Sequence, residues 1–175
     1  DHIDDYDDVG TKNEYFEGIE KGISPEAMLE RIKVTSRVNS RSPMQWDNNE
    51  NSGFTKGKPW AKVNQNYKEI NVEKELQDKN SILNFYKDLI RIRNGNDALI
   101  YGRYDLLLPD HKEIYAYTRT YQGEKYLILV NLSMKEVYYV SDYMLKAENL
   151  LLHNYKEVEE ETNEFTMKAY ECRLY

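Results

Sequence analysis

Arg41, Trp46, Asp47 and Trp60 lie within one polar stretch of the 175-residue chain, which reads RSPMQWDNNENSGFTKGKPW. Its first seven residues combine a permanent cation, a proline bend, an aromatic plate and a carboxylate. A guanidinium presents a planar fork of donors that holds a carboxylate or a set of sugar hydroxyls in one orientation. Pro43 restricts the backbone on both of its sides. Gly53, Gly57 and Pro59 then interrupt any regular period, so the stretch reads as a long structured loop without a helix. On residue types alone two readings stand: a binding-site loop, or a solvated surface loop with a tryptophan tucked beneath it.

Other clusters were tested for metal and acid–base chemistry. Asp1 to Asp8, DHIDDYDD, carries five carboxylates and His2, and clustered oxygens suit a hard cation. Started at Asp5, a calcium-loop spacing puts Val9 and Phe16 where carboxylates are required. Started at Asp47, it puts Ser52 at the glycine position and Lys58 at the final carboxylate position. The run therefore reads as a solvated acidic loop. His111 and His153 stand at strand ends with no partner at ligand spacing, as surface or turn histidines. Neither a metal nor another cofactor is expected. The one cysteine, Cys172, makes no disulfide within the chain and, between Tyr170 and Leu174, reads as a buried structural thiol that suits a cytoplasmic protein.

The elements that position these residues follow from caps and periodicity. Ser24-Pro25-Glu26 opens a helix with an N-cap serine, a proline at the first helical position and a carboxylate in the first turn. Met28, Leu29 and Ile32 form its apolar side, and it fades between Val34 and Ser36. Asn66 to Glu69 reads as a turn and Val72 to Leu76 as a weak helical or irregular segment. Asn80 or Ser81 caps a stronger helix, whose Ile82, Phe85, Tyr86, Leu89 and Ile92 recur at three- and four-residue spacing. Asn94-Gly95-Asn96 stops it and marks the expected domain boundary, between 1–95 and 96–175.

Beyond Ala98 the period changes to two. Glu113 to Tyr121 and Lys125 to Asn131, joined by Gln122-Gly123, form an expected hairpin. Further strands are expected at Tyr104 to Leu108, Val137 to Val140, Leu150 to Leu152 and Glu164 to Leu174, the last with a bulge or corner where its apolar phase slips between Ala169 and Tyr170. Closely spaced strands with no helix between them imply an antiparallel β-sandwich of Greek-key type, so the chain is mainly β with a helical and loop portion in front.

A net charge of -7 and a pI near 5.1 argue against nucleic acid or an anionic membrane as partner. No apolar run reaches the roughly 20 residues of a spanning helix. Asp1 opens no signal peptide, and the absent initiator Met suggests an excised or trimmed chain. Sixteen tyrosines suit half-exposed sheets and sugar stacking alike. Tyr115, Tyr117 and Tyr121, on one strand face, keep open a non-catalytic module that binds carbohydrate.

RSPMQWD, NSGF, KPW and VNQNYKEINV, in that order, resemble a segment of the α-glucosidase branch of the α-amylase superfamily (glycoside hydrolase family 13), which includes oligo-1,6-glucosidase, dextran glucosidase and trehalose-6-phosphate hydrolase. The resemblance covers essentially the whole chain, most strongly from Ser36 to Tyr121. It implies that 1–95 are the last loop and eighth helix of a (β/α)8 catalytic barrel, and that 96–175 are the C-terminal β-sandwich domain. It implies a retaining parent enzyme acting on α-glucoside oligosaccharides, with an N-terminal barrel as the missing partner. It also places the family's catalytic Asp and Glu, and a third sugar-binding Asp, upstream of this sequence, so the chain has no catalytic residue and is expected to be inactive alone. Arg41 matches the arginine that, with an upstream Asp, holds the 4-hydroxyl of the terminal glucose. Ser42 stands in place of the usual Thr, which keeps the hydroxyl. Trp46, Asp47 and Trp60 match residues that shape the loop, with Trp46 also a candidate for the pocket wall. SRVNSRSPMQWD and LLPDH lean towards the phosphotrehalase, VNQNYKEINV equally towards oligo-1,6-glucosidase.

Overall fold

The computed structural model describes residues 2–155, 158, 159 and 161–175. They fall into two compact units, 1–83 and 84–175.

The first unit is helical and looped. Asp8 is the N-cap of α1 (Val9–Glu20): its carboxylate accepts the Thr11 amide at 2.8 Å and the Thr11 hydroxyl at 2.9 Å. The sequence reading assigned no helix here, because few apolar residues mark a face. What holds α1 is close approach to α2 (Pro25–Thr35), where a β-carbon on Gly18 would lie 2.3 Å from the Met28 sulfur. Helix α2 has the expected Ser24 cap, 3.2 Å from the Ala27 amide, and buries Met28 and Ile32. A buried Thr11–Ser36 hydroxyl pair at 2.9 Å ties the start of α1 to the end of α2.

The acidic run departs from a solvated loop. Ile3 is buried and opens a single 3-10 turn, Ile3–Asp5, while Asp8 is committed to the cap. An apolar residue and a capping carboxylate, both overlooked within the charge run, explain the difference. Asp1 lies outside the described residues.

The long polar loop contains one 3-10 segment, Glu50–Gly53, and leads to α3 (Val72–Gln77), which Asn71 caps by accepting the Lys74 amide at 3.0 Å. Helix α4 (Ile82–Asn94) follows and runs across the division between the units.

The second unit is the antiparallel sandwich. After α5 (Asp97–Tyr101) come β1 (Arg103–Leu106), β2 (Ile114–Tyr121), β3 (Glu124–Asn131), β4 (Val137–Lys146), β5 (Leu152–His153), β6 (Glu161–Met167) and β7 (Cys172–Leu174). The main sheet has the order β1-β2-β3-β7-β5, and β4 pairs with β6 in a second, two-stranded sheet. Gln122 (φ 48) and Gly123 (φ 89) form the β2–β3 hairpin turn, both left-handed as a type I′ turn requires. Ile114, Ala116, Leu127 and Leu129 of the main sheet pack with Tyr139, Leu145, Phe165 and Met167 of the other. Alternation along each strand decides this, since inward residues interlock while their neighbours face out.

Two expectations are refined. The segment expected as one strand from Glu164 to Leu174 is two, β6 and β7, joined at a corner where Tyr170 takes φ 56. Strand β4 runs on to Lys146 through a register shift between Val140 and Leu145.

The corner is fixed by a buried carboxylate. Glu171 accepts the Lys168 amide at 2.7 Å and the Arg173 Nε at 2.6 Å. Arg173 also donates to Glu159 at 2.7 Å and lies over the Phe165 ring at 3.9 Å.

Candidate functional site

The site is built on the first unit's loop. Arg41 ends a 3-10 turn, Arg37–Ser40, by donating its amide to the Val38 carbonyl at 2.9 Å. Ser36 caps that turn, and the Asn39 side chain donates to the Lys33 carbonyl at 2.8 Å, which secures it to the end of α2. Arg37 is consumed here: its guanidinium holds the Asp8 carboxylate through both Nε, at 2.9 Å, and Nη2. The Asp8 carboxyl is held well below the usual range, first by the Arg37 hydrogen bond and then by the Thr11 amide and hydroxyl. It serves as cap and ion-pair partner, which is a poor state for a proton donor.

Arg41, by contrast, is exposed and makes no ion pair with another described residue. Beside it, Ser42 joins Asp5, Tyr6, Val38, Asn39 and Lys62 around a cavity of about 360 Å³. The Lys62 ammonium stands 3.5 Å from the Asp5 carboxylate. Hydroxyls, amides and one charge of each sign around the cavity fit a neutral polyhydroxylated ligand.

Beyond Arg41 the loop is locked by its own polar groups. The amides of Trp46 and Asp47 both donate to the Ser52 carbonyl, at 2.9 and 3.2 Å. Asn51 (φ 53) and Ser52 (φ 54) take left-handed conformations that reverse the chain, and the Asn51 amide ties down the carbonyls of Thr55 and Gly57 at 3.2 and 3.1 Å. The Asp47 carboxylate accepts the Asn49 amide at 2.8 Å. Two backbone bonds then pin the loop to α3, Val72 to the Gln45 carbonyl at 2.9 Å and Glu73 to the Trp46 carbonyl at 3.0 Å. Loop rigidity of this kind preorganises whatever its first residues present.

Of the four residues singled out in the sequence, Asp47 lies inside this network, and Trp46 enters it through its backbone. The two indoles are exposed, Trp46 at 49% and Trp60 at 56%. Asn51 and Ser52, which turn the chain, were overlooked. An Asn-Ser-Gly run between hydrogen-bonded ends is the signal that would have found them. Asp8 and Arg37 were also missed, although an Asp three residues before Thr11 is a readable cap.

In the second unit, Tyr115 and Tyr117 share a strand face with Tyr121, as alternation dictates, but their rings tilt by 45° at 5.2 Å. Tyr104 crosses over them, its hydroxyl 3.0 Å from that of Tyr115, and that bond raises its pKa to about 12. These rings make no flat stacking platform. His111 accepts the Glu113 and Ile114 amides through Nδ1 at 3.2 and 2.9 Å, as a turn residue does. Burial pushes the Cys172 thiol pKa up. No cluster of three or more potential metal ligands occurs among the described residues. No helix among them is long and apolar enough to cross a membrane.

Residues 5–102 match the α-amylase catalytic-domain family, and residues 114–173 match the α-amylase SusG C-terminal domain. The oligo-1,6-glucosidase of Parageobacillus thermoglucosidasius is 45% identical over 99% of this chain and 32% of its own length. The trehalose-6-phosphate hydrolase of Escherichia coli is 35% identical over 97% of this chain and 31% of its own length. Among solved structures, trehalulose synthase MutB from Pseudomonas mesoacidophila superposes with a TM-score of 0.89 at 35% identity, over 100% of this chain and 32% of that one. The chain thus spans about a third of the length of the relatives that it matches, in their C-terminal region. With a catalytic-domain match across more than half of its residues and a C-terminal-domain match across its sheets, the chain belongs to the α-amylase family.

Proposed function

We propose that this chain is the C-terminal part of a retaining α-glucosidase that removes terminal α-linked glucose from short oligosaccharides. The observation that carries the reading is Arg41: a cation with no ion-pair partner among the described residues, at the head of a locked loop and beside a cavity lined by Asp5, Tyr6, Asn39, Ser42, Lys62 and Asn64. In the parent its guanidinium holds a hydroxyl of the terminal glucose, together with an acidic residue from the upstream barrel. Charge-assisted hydrogen bonds from a fixed donor select orientation as well as affinity.

Retaining hydrolysis needs a nucleophilic carboxylate and an acid/base carboxyl about 5 Å apart. Asp8 is neutralised by Arg37, and we assign both reacting groups to the barrel upstream. The chain by itself then binds weakly and turns nothing over. Oligo-1,6-glucosidase is favoured as the parent activity because of the 45% identity over nearly the whole chain. A single cysteine with a half-buried thiol suits a cytoplasmic enzyme.

The test is hydrolysis by the longer product of the same gene, extended upstream of Asp1, on isomaltose and trehalose 6-phosphate side by side. Isomaltose cleavage is expected. Cleavage of the phosphorylated disaccharide alone moves the parent to the phosphotrehalases, and cleavage of neither removes the assignment. Turnover by the 175-residue chain would overturn the placing of both carboxylates upstream.

A further inference from the structure

The polar network that locks the long loop lies downstream of Arg41 and fixes only one of its two sides. On the other side stands the 3-10 turn Arg37–Ser40, whose Val38 carbonyl accepts the Arg41 amide. A turn of four residues has too few backbone hydrogen bonds to hold its own shape. Contacts from outside the turn must hold it.

The side chains of Asp8, Thr11, Ser36 and Arg37 do so, and they close a circuit. Arg37, the first residue of the turn, donates through Nε at 2.9 Å and through Nη2 to one Asp8 oxygen, Oδ1. The other oxygen, Oδ2, accepts the amide and the hydroxyl of Thr11 at 2.8 and 2.9 Å. The Thr11 hydroxyl lies 2.9 Å from that of Ser36, and the Ser36 oxygen accepts the Val38 amide at 3.3 Å, back inside the turn. Asn39 adds a tie to the end of α2, donating to the Ile32 and Lys33 carbonyls at 3.3 and 2.8 Å.

The Arg37 end of the ion pair is largely solvated, its side chain 61% exposed against 10% for Asp8. Such a pair contributes modestly to stability. What it supplies is direction, because donors on both oxygens leave the carboxylate a single orientation. Arg41 itself is exposed and makes no ion pair with another described residue. Its own contacts therefore do not choose where it points, and the backbone that carries it must.

We propose that Asp8 and Arg37 are positioning residues for Arg41: their ion pair anchors the turn to the start of α1, and the turn sets the direction from which the Arg41 guanidinium reaches the sugar. A guanidinium that has to be ordered by its ligand loses part of its binding energy to that ordering. The proposal rests on the role given above to Arg41 in holding a glucose hydroxyl.

The experiment is a double-mutant cycle in the longer gene product, on whichever of isomaltose and trehalose 6-phosphate it cleaves, joined with amide exchange of the same protein read by mass spectrometry. Asp8→Asn keeps a capping side chain and removes the ion pair. It should lower kcat/KM about fivefold with Arg41 in place, and by less than about twofold in the Arg41→Ala background. Arg37→Met, which leaves the Asp8 cap intact, should repeat the pattern, and it replaces Asp8→Asn if that variant fails to fold. Arg37→Lys keeps the charge without the fork and should recover part of the loss. The peptide that spans Ser36 to Arg41 should exchange at least about fivefold faster in Asp8→Asn. Two results overturn the positioning role while Arg41→Ala is impaired: equal losses in both backgrounds, as a general loss of structure would give, or unaltered exchange of that peptide. Unaltered kinetics in Arg41→Ala is a distinct result, which removes the sugar role of Arg41 and the positioning role with it.

Discussion

The carboxylate of Asp47 occupies the space that a side chain on residue 53 would need: a β-carbon there would lie 2.6 Å from both of its oxygens, and Gly53 sits at φ +67. The pair closes the Arg41 loop, since the Asp47 amide and carboxylate each hold backbone within the same reversal.

Gly53→Ala is therefore expected to destabilise the first unit by about 1–3 kcal/mol through left-handed strain and the clash together. Gly22 is the control. It has φ +85 with nothing within 4 Å of its would-be β-carbon, so Gly22→Ala bears the strain alone. Denaturant midpoints followed by tryptophan fluorescence should fall further for residue 53, and equal losses would show that the Asp47 contact contributes nothing.

Asp8 predicts an acid dependence. Its folded pKa is depressed, chiefly by Arg37, so its contribution to stability is present above the unfolded value of about 3.9 and is lost as pH falls through the folded value. Asp8→Asn keeps a capping side chain and removes the ion pair. The variant should be less stable than the native chain at pH 7, with the gap closing below about pH 4. A gap that is constant from neutral to acidic pH would rule out the ion pair as its source.

The β6–β7 corner predicts a large loss. Arg173 and Glu171 are 3% and 1% exposed, so Arg173→Met strands a buried carboxylate at a cost of about 3–5 kcal/mol. Replacing both, Arg173→Met with Glu171→Gln, should recover more than half of that in urea unfolding. Simple additivity of the two losses would mean that the groups do not act as a pair.

Arg41 is tested in the longer gene product. Arg41→Ala should lower kcat/KM for isomaltose by on the order of 10- to 100-fold, as loss of a hydrogen bond from a charged donor does. In the 175-residue chain the same change should leave thermal stability unaltered, because there the side chain makes no ion pair with another described residue. Arg41→Lys keeps the charge and loses the fork, and should recover only part of the activity. Unaltered kinetics in Arg41→Ala would remove this residue from the sugar site.

Much of this molecule is legible along the chain because the deciding interactions are local. Ser24-Pro25 caps α2, Gln122-Gly123 turns the β2–β3 hairpin, and the alternation of Ile114 to Tyr121 selects which residues enter the sandwich core. The RSPMQWD stretch likewise declares a structured loop headed by an exposed arginine. Other features depend on groups far apart in sequence, and no local pattern encodes them. Helix α1 exists because Gly18 admits Met28 and Asp8 receives Arg37 across the fold. The corner before β7 is held where Arg173 reaches back to Glu159 and lies over the Phe165 ring. Residue types and short-range caps determined by themselves α2, α4 and the β2–β3 hairpin, but neither α1 nor the division of the last strand into β6 and β7. Tertiary structure alone decided which charges are spent on one another, as Asp8 and Arg37 are, and which, like Arg41, have no ion-pair partner among the described residues, because pairing is a matter of distance in space.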